Sequence, residues 1–474
     1  MHSLLETVKL AAPVVVTMTS YTLMQWVDKL MVSRIGPDPI YVGAQGNASL
    51  VSFVPISILM GLLTVVNTFV SQNLGAGRAE RGPAYAFNGL WIALAACLLL
   101  IPYGLKVDVV FNMLGHSPEQ IALQTGYAKI LIFGAFLTVA TRGIAQFFFG
   151  MHRPMIIMIA AISGNLVNVF FNYGLIFGYM GMPRLELEGA AIATLLGSAV
   201  EFIIPMAVFL GPAYNRLYRT RASWRPSRKH IKDLLRIGWP GGLMFGNEMV
   251  CWSFFMVYLV SHFGPLHANA GWIAHQWMAL SFMPTVGITM AVTAMVGKCI
   301  GMGRHDMAAR RAWLGVGVAM GYMGFCGVMF IVLREPMIRL FINEETSPEE
   351  AATVVRLGAS FMIAVAAFQL FDAIAMTLSA ALRGAGDTVW IGVWTVVLSW
   401  VVIVVGGMAI VEFFPGLESF GPWLAASAYI IILSMLAMAR FLSGAWKNFK
   451  LVEPGSAGEI PPPELAAASA TDGI

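Results

Sequence analysis

Apolar runs bounded by charge, glycine or proline recur along the whole chain, near residues 10–33, 43–71, 84–105, 122–149, 155–178 and 189–211. A second set follows near 238–262, 268–298, 311–333, 352–382, 389–411 and 422–443. A helix crosses the hydrocarbon of a bilayer in roughly 20 residues, whereas a barrel strand needs only about 9–11. Backbone groups in lipid must also be satisfied within their own segment or within a closed barrel. The pattern therefore predicts an all-α polytopic membrane protein with twelve transmembrane helices.

The two sets of six resemble each other in detail. Gly36-Pro37 recurs as Gly264-Pro265, Pro55 as Pro284, and Gly75-Ala76-Gly77-Arg78 as Gly301-Met302-Gly303-Arg304. Ser117-Pro118-Glu119 recurs as Ser347-Pro348-Glu349, and Gly150 as Gly384, all in one chain order. An even number of spans in each half gives both halves the same orientation, so they are parallel repeats about an axis along the membrane normal, as in transporters. The expected organisation is a six-helix bundle over 1–211, a basic linker over 212–236, a second bundle over 237–450 and a disordered Pro- and Ala-rich tail over 451–474.

Charge orients the chain. Lys and Arg concentrate in the connections after spans 2, 4, 6, 8 and 10, among them Arg78, Arg81, Arg153, the run Arg216 to Arg236, Arg304, Arg310, Arg311 and Arg383. The opposite connections hold few, Arg334 and Arg339 among them, beside Glu335, Glu344 and Glu345. The positive-inside rule places both termini in the cytoplasm of an inner (plasma) membrane protein.

Composition agrees with this picture and narrows it. Charged residues make up 11% of the chain and hydrophobic ones 58%, with mean hydropathy +0.75, against about 25% charged residues in soluble domains. The net charge of +4 sits in loops between spans and gives no reason to expect nucleic acid. Cys97, Cys251, Cys299 and Cys326 stand singly, with neither disulfide nor zinc spacing. The first run is too long for a signal-peptide core and is expected to persist as a span. No phosphate-binding loop accompanies the turn glycines, so neither a cofactor nor ATP-driven pumping is expected.

Ionisable side chains inside spans mark functional sites by default, because each costs several kcal/mol at mid-membrane depth. Glu248 and Asp372 each lie about 16 Å in from the basic ends of their helices. At one depth, the two carboxylates can share a cation such as Na⁺ or hold a proton between them. Asp28 stands beside Lys29 and near Arg34, and both a local ion pair and a functional role remain open for it. Arg142 and Glu201 form the remaining internal pair of opposite sign, expected as a structural salt bridge. His275 with Gln276 offers a proton relay or a packing contact. Asn165, Asn168 and Asn172 share one helix face and so line a polar cavity wall or bond between helices. The 30 Met, 30 Phe, 13 Trp and 12 Tyr residues supply surface for a pliable pocket for apolar cations.

The order LAAP at 10–13, VSQNLGAGR at 70–78, GWPGG with Glu248, AHQW at 274–277, VGKCIGMGR at 296–304, FQLFDA at 368–373 and ALRGAGDT at 381–388 resembles the multidrug and toxic compound extrusion family, and its NorM-type branch most. The resemblance covers residues 4 to 445. It implies two six-helix bundles around a V-shaped cleft and antiport of organic cationic drugs and dyes against Na⁺ or H⁺. Glu248 and Asp372 match the second-bundle acids that bind the coupling cation, and Asp28 matches the first-helix acid implicated in coupling or substrate binding. The implied partners are small organic cations and membrane lipids, and the protein is expected to act as a monomer. An exporter or flippase of a lipid-linked metabolite would line its cleft with Arg and Lys, whereas the mid-span charges here are mostly acidic. An intramembrane enzyme would need a nucleophile with its base or a metal cluster, for which no span carries a motif.

Overall fold

The computed structural model describes residues 2–36, 40–342 and 347–453. Pro37, Glu344, Glu345 and the tail beyond Glu453, on which part of the sequence reading fell, lie outside the described residues. Twelve helical spans follow in order: α1 (His2–Val32), α2 (Ile40–Gly75), α3 (Ala79–Leu105), α4 (Pro118–Phe133 with Ala135–Gly150), α5 (Pro154–Phe177) and α6 (Glu186–Leu210). The second half holds α7 (Arg228–Phe263), α8 (Pro265–Gly301), α9 (His305–Val332), α10 (Pro348–Ala385), α11 (Thr388–Phe413) and α12 (Phe420–Leu442).

Eleven of these are single segments long and apolar enough to span a bilayer, and α4 completes the twelve as a pair bent by 44°. At the bend, Leu195 of α6 packs so close to Gly134 that a methyl group there would meet its Cδ1 at 2.2 Å, and Leu137 donates to the Gly134 carbonyl at 3.0 Å, a tighter three-residue step. α7 starts at Arg228, so the second part of the basic stretch is helical, and its first part holds the short helix Pro212–Tyr218. Ser117 and Ser347 cap α4 and α10 by accepting from the amides of Gln120 and Glu350, which shows the sequence repeat acting as a structural one.

The halves meet where both carry basic connections, hereafter the basic end. There α1 runs along α8 and α2 along α7, and each of these four helices holds one internal proline: Pro13, Pro55, Pro240 and Pro284. The closest approach is reciprocal. A methyl group on Gly75 would fall 1.9 Å from the Lys298 carbonyl oxygen, and one on Gly301 would fall 2.0 Å from that of Gln72. Two equivalent turns thus pack backbone to backbone around the pseudo-twofold axis. Thr68 donates to the Arg383 carbonyl at 3.0 Å and Gln72 to that of Gly384 at 2.9 Å, while Asn67 donates to that of Met290 at 3.4 Å. Arg311 also pairs with Glu6. Toward the opposite end the Trp26 ring meets Phe341 edge-on, centroids 5.8 Å apart.

After α12 the chain returns across this junction. Leu451 packs over Gly386 in the α10–α11 turn. With Val452 it also lies against a first-half core that includes Val65, Phe69 and Ile157. Glu453 ends 3.7 Å from Arg78.

Candidate functional site

Polar side chains inside the spans gather into two clusters, one in each half. In the second half, Glu248 of α7 and Asp372 of α10 are both half-buried and within electrostatic reach of each other. The Tyr429 hydroxyl of α12 feels both carboxylates. Among the described residues neither acid makes a hydrogen bond or ion pair. Arg383 lies close enough to Glu248 to offset part of its charge. This corrects the placement of Arg383 in a connection: it belongs to the last turn of α10, and its side chain turns back into the protein.

The surroundings hold the acids in place. Beside Glu248, Asn247 donates to Ser399 at 2.8 Å and accepts from the Trp400 indole at 2.7 Å, fixing α7 to α11. Ser399 opens a π-helical stretch, Ser399–Gly406, a geometry found mostly as local insertions at functional positions. One turn before Asp372, Gln369 donates to Ser281 at 2.9 Å and ties α10 to α8.

In the first half, Asp28 accepts from Asn172 at 2.5 Å, Asn172 donates to Asn168 at 2.9 Å, and Asn168 donates to Thr194 at 3.4 Å. The chain joins α1, α5 and α6. Tyr127 of α4 lies within electrostatic reach of Asp28 and contacts Ser49 and Gln45 of α2. Adjacent helix positions diverge, so Asp28 turns into its own half while Lys29 lies near His275 of α8. Asn165 stands apart: both polar atoms of its amide are buried without a partner among the described residues.

One expectation needs correction. Arg142 and Glu201 form no direct ion pair among the described residues. Tyr21 of α1 intervenes, donating to Glu201 at 3.3 Å while its ring faces the Arg142 guanidinium, 4.0 Å from its centroid. A ring with a polar tip satisfies both charges where their own side chains stop short. Tyr21→Phe is expected to lower the stability of the detergent-purified protein by about 1 kcal/mol and Tyr21→Leu by about 2–3 kcal/mol, read as successive falls in Tm. Equal effects would show that the ring contributes nothing. Of the two readings left open at His275, a proton relay and a packing contact, the contacts present are packing ones. His275 sits edge-on between Trp252 and Trp272, centroids 5.8 and 5.7 Å away, and Gln276 is half-buried beside it.

The sequence reading passed over Tyr429, Asn247, Ser399, Tyr127, Gln45, Thr194 and Tyr21. Asn247 adjoins an acid and so carried a signal of its own. The others are scattered polar residues whose convergence only the fold reveals.

Similarity to known proteins agrees with this architecture. The family profile described as MatE matches residues 13–174 and again 246–408, one stretch in each half. A relative from Bradyrhizobium diazoefficiens named "Probable multidrug resistance protein NorM" is 30% identical over 452 residues, covering 92% of each chain. One of the same name from Pseudomonas putida is 29% identical, covering 80% of this chain and 81% of its own. Among solved structures, the outward-facing conformation of a multidrug resistance MATE family transporter superposes with TM-score 0.84 at 21% identity, over 94% of this chain and 97% of its own. The eukaryotic MATE transporter AtDTX14 superposes with TM-score 0.81 at 16% identity, over 94% and 97%. With two matched repeats, a shared fold and relatives aligned over nearly their full lengths, the chain belongs to the MatE family.

Proposed function

We propose that this protein exports organic cations from the cell by antiport against Na⁺ or H⁺, in the inner membrane with its basic end and both termini in the cytoplasm. The observation that carries the reading is the pair Glu248 and Asp372, two carboxylates brought together inside the second half with one guanidinium, Arg383, near them. With both acids ionised, that group of three has a net charge of −1, which one monovalent cation neutralises. Two acids at this depth repel each other, so the site is most stable when a cation is present. Inorganic and organic cations then compete for the same acids, and the competition couples their movements.

Glycine contacts and hydrogen bonds between the halves concentrate at the basic end. This supports alternating access by rocking of the halves, the present arrangement being shut toward the cytoplasm. Asp28 with its asparagine chain forms a second coupling position in the first half. The mid-span acids favour cationic substrates over lipid-linked anions.

The test is dye transport into inverted membrane vesicles, with a Na⁺ gradient and a pH gradient imposed separately. The expected result is concentrative uptake of ethidium under one of the two, collapsing when that gradient is dissipated. Uptake driven by ATP under collapsed gradients, or none under any gradient, would overturn the proposal.

A further inference from the structure

The second half carries a cavity well away from the acids, at the end opposite the basic connections. It measures about 410 Å³ and lies between the short helix Arg334–Arg339 and the beginning of α10. Its lining includes Arg334, Arg339, Arg356, Glu335, Ser360 and Ile363. Among the described lining residues, three guanidinium groups gather with one carboxylate, at the end where the positive-inside rule leaves few Lys and Arg. Among the described residues none of the three forms an ion pair. We propose that this cavity binds the phosphate of an anionic membrane lipid in the leaflet at that end.

Depth supports a headgroup. α10 is 38 residues long, about 57 Å at 1.5 Å per residue, so it stands well clear of the roughly 30 Å hydrocarbon layer. Arg356 lies about 40 Å along the helix axis from Arg383. If Arg383 marks one edge of the hydrocarbon, Arg356 stands in the opposite headgroup layer. Ile363, two turns deeper on the same helix, lines the cavity and is 46% exposed. Leu333 and Leu340 border the short helix with exposed apolar surface. The site is thus cationic at headgroup level and apolar below, the division an amphiphile with a charged head requires.

Chemistry supports phosphate. Guanidinium is planar and pairs bidentately with phosphate oxygens, and it is more weakly hydrated than ammonium. Arg334 is held by its own donation to the Ile331 carbonyl at 2.7 Å, so one donor fork is already oriented. The cavity volume falls in the range of small-molecule sites, roughly 300–1,000 Å³.

Binding of short-chain phosphatidylglycerol to the purified full-length protein, compared with phosphatidylcholine of the same chains and with inorganic phosphate, tests the site. Native mass spectrometry reads the first lipid bound. Phosphatidylglycerol is expected to bind more tightly than either comparison ligand. An interfacial cation is worth about fivefold in affinity, so the triple substitution Arg334→Gln, Arg339→Gln, Arg356→Gln is expected to weaken phosphatidylglycerol on the order of a hundredfold. Glu335→Gln, which removes the carboxylate lining the cavity beside them, is expected to tighten it about fivefold and guards against misfolding of the triple variant. Unchanged affinity in both variants would overturn the site, and inorganic phosphate binding as tightly as phosphatidylglycerol would overturn the lipid as its ligand.

Discussion

Glu248→Gln and Asp372→Asn are each expected to abolish efflux of a cationic dye from intact cells while the protein still reaches the membrane in wild-type amounts. Each substitution keeps side-chain size and removes one unit of charge from a group that, by its composition, attracts a single cation. At an effective dielectric constant near 20, an opposite charge 4–8 Å away contributes about 2–4 kcal/mol. Losing one acid therefore weakens cation binding on the order of a hundredfold or more. Either variant also leaves the group of three with one carboxylate and one guanidinium, so the group becomes neutral and the cation loses its net attraction. Wild-type efflux by either variant would remove Glu248 and Asp372 from the transport site. An Asp28→Asn variant is the informative companion: Asp28 already accepts from Asn172, and its loss leaves the second-half group intact.

The second large effect is expected at the junction of the halves. Gly75→Val would place a Cβ atom 1.9 Å from the Lys298 carbonyl oxygen. Backbone cannot swing aside as a side chain does, so α2 and α8 must separate by more than an ångström. That separation also stretches the donations from Thr68 and Gln72 to α10, each worth about 1 kcal/mol, on top of an overpacking cost of about 1–3 kcal/mol. The closed basic end is thereby disfavoured by about 3–5 kcal/mol. Efflux should fall at least tenfold, and a cysteine introduced at the buried Ser71 should react faster with a water-soluble maleimide applied from the basic side. A valine at Gly317 in α9, where a Cβ would meet nothing within 4 Å, is the matched control. Unaltered labelling and efflux in Gly75→Val would show that the two turns part freely.

How much of this was legible beforehand depended on the kind of signal. Hydrophobic runs are long and redundant, so all twelve spans stood out, while the bend of α4 beside Gly134 left no mark in hydrophobicity. The repeat was legible because glycines and prolines do work that no other residue can do: Gly75 and Gly301 are the points of backbone contact about the pseudo-axis. Glu248 and Asp372 stood out because charge is rare and costly in such helices. The tyrosines near buried acids did not. Tyr429, near Glu248 and Asp372, and Tyr21, which donates to Glu201, are amphipathic aromatic residues among many, and only packing shows which hydroxyl comes near an acid. Arg383 misled because a basic residue near a helix end resembles a loop charge, although its long side chain can turn inward. Asn168 and Asn172 shared a face as their spacing required, yet the same spacing included Asn165, which the hydrogen-bond chain leaves out.

The last described residues of the chain have a bearing on how the two bundles part. Leu451 and Val452 leave the second half and pack against the core of the first, and Glu453 reaches Arg78. Residues 451–453 thus act as a hasp across the seam at the basic end of the proposed transporter. Swinging the seam open requires this segment to peel from one bundle, so the stroke has a releasing step at its edge as well as a pivot at its glycines.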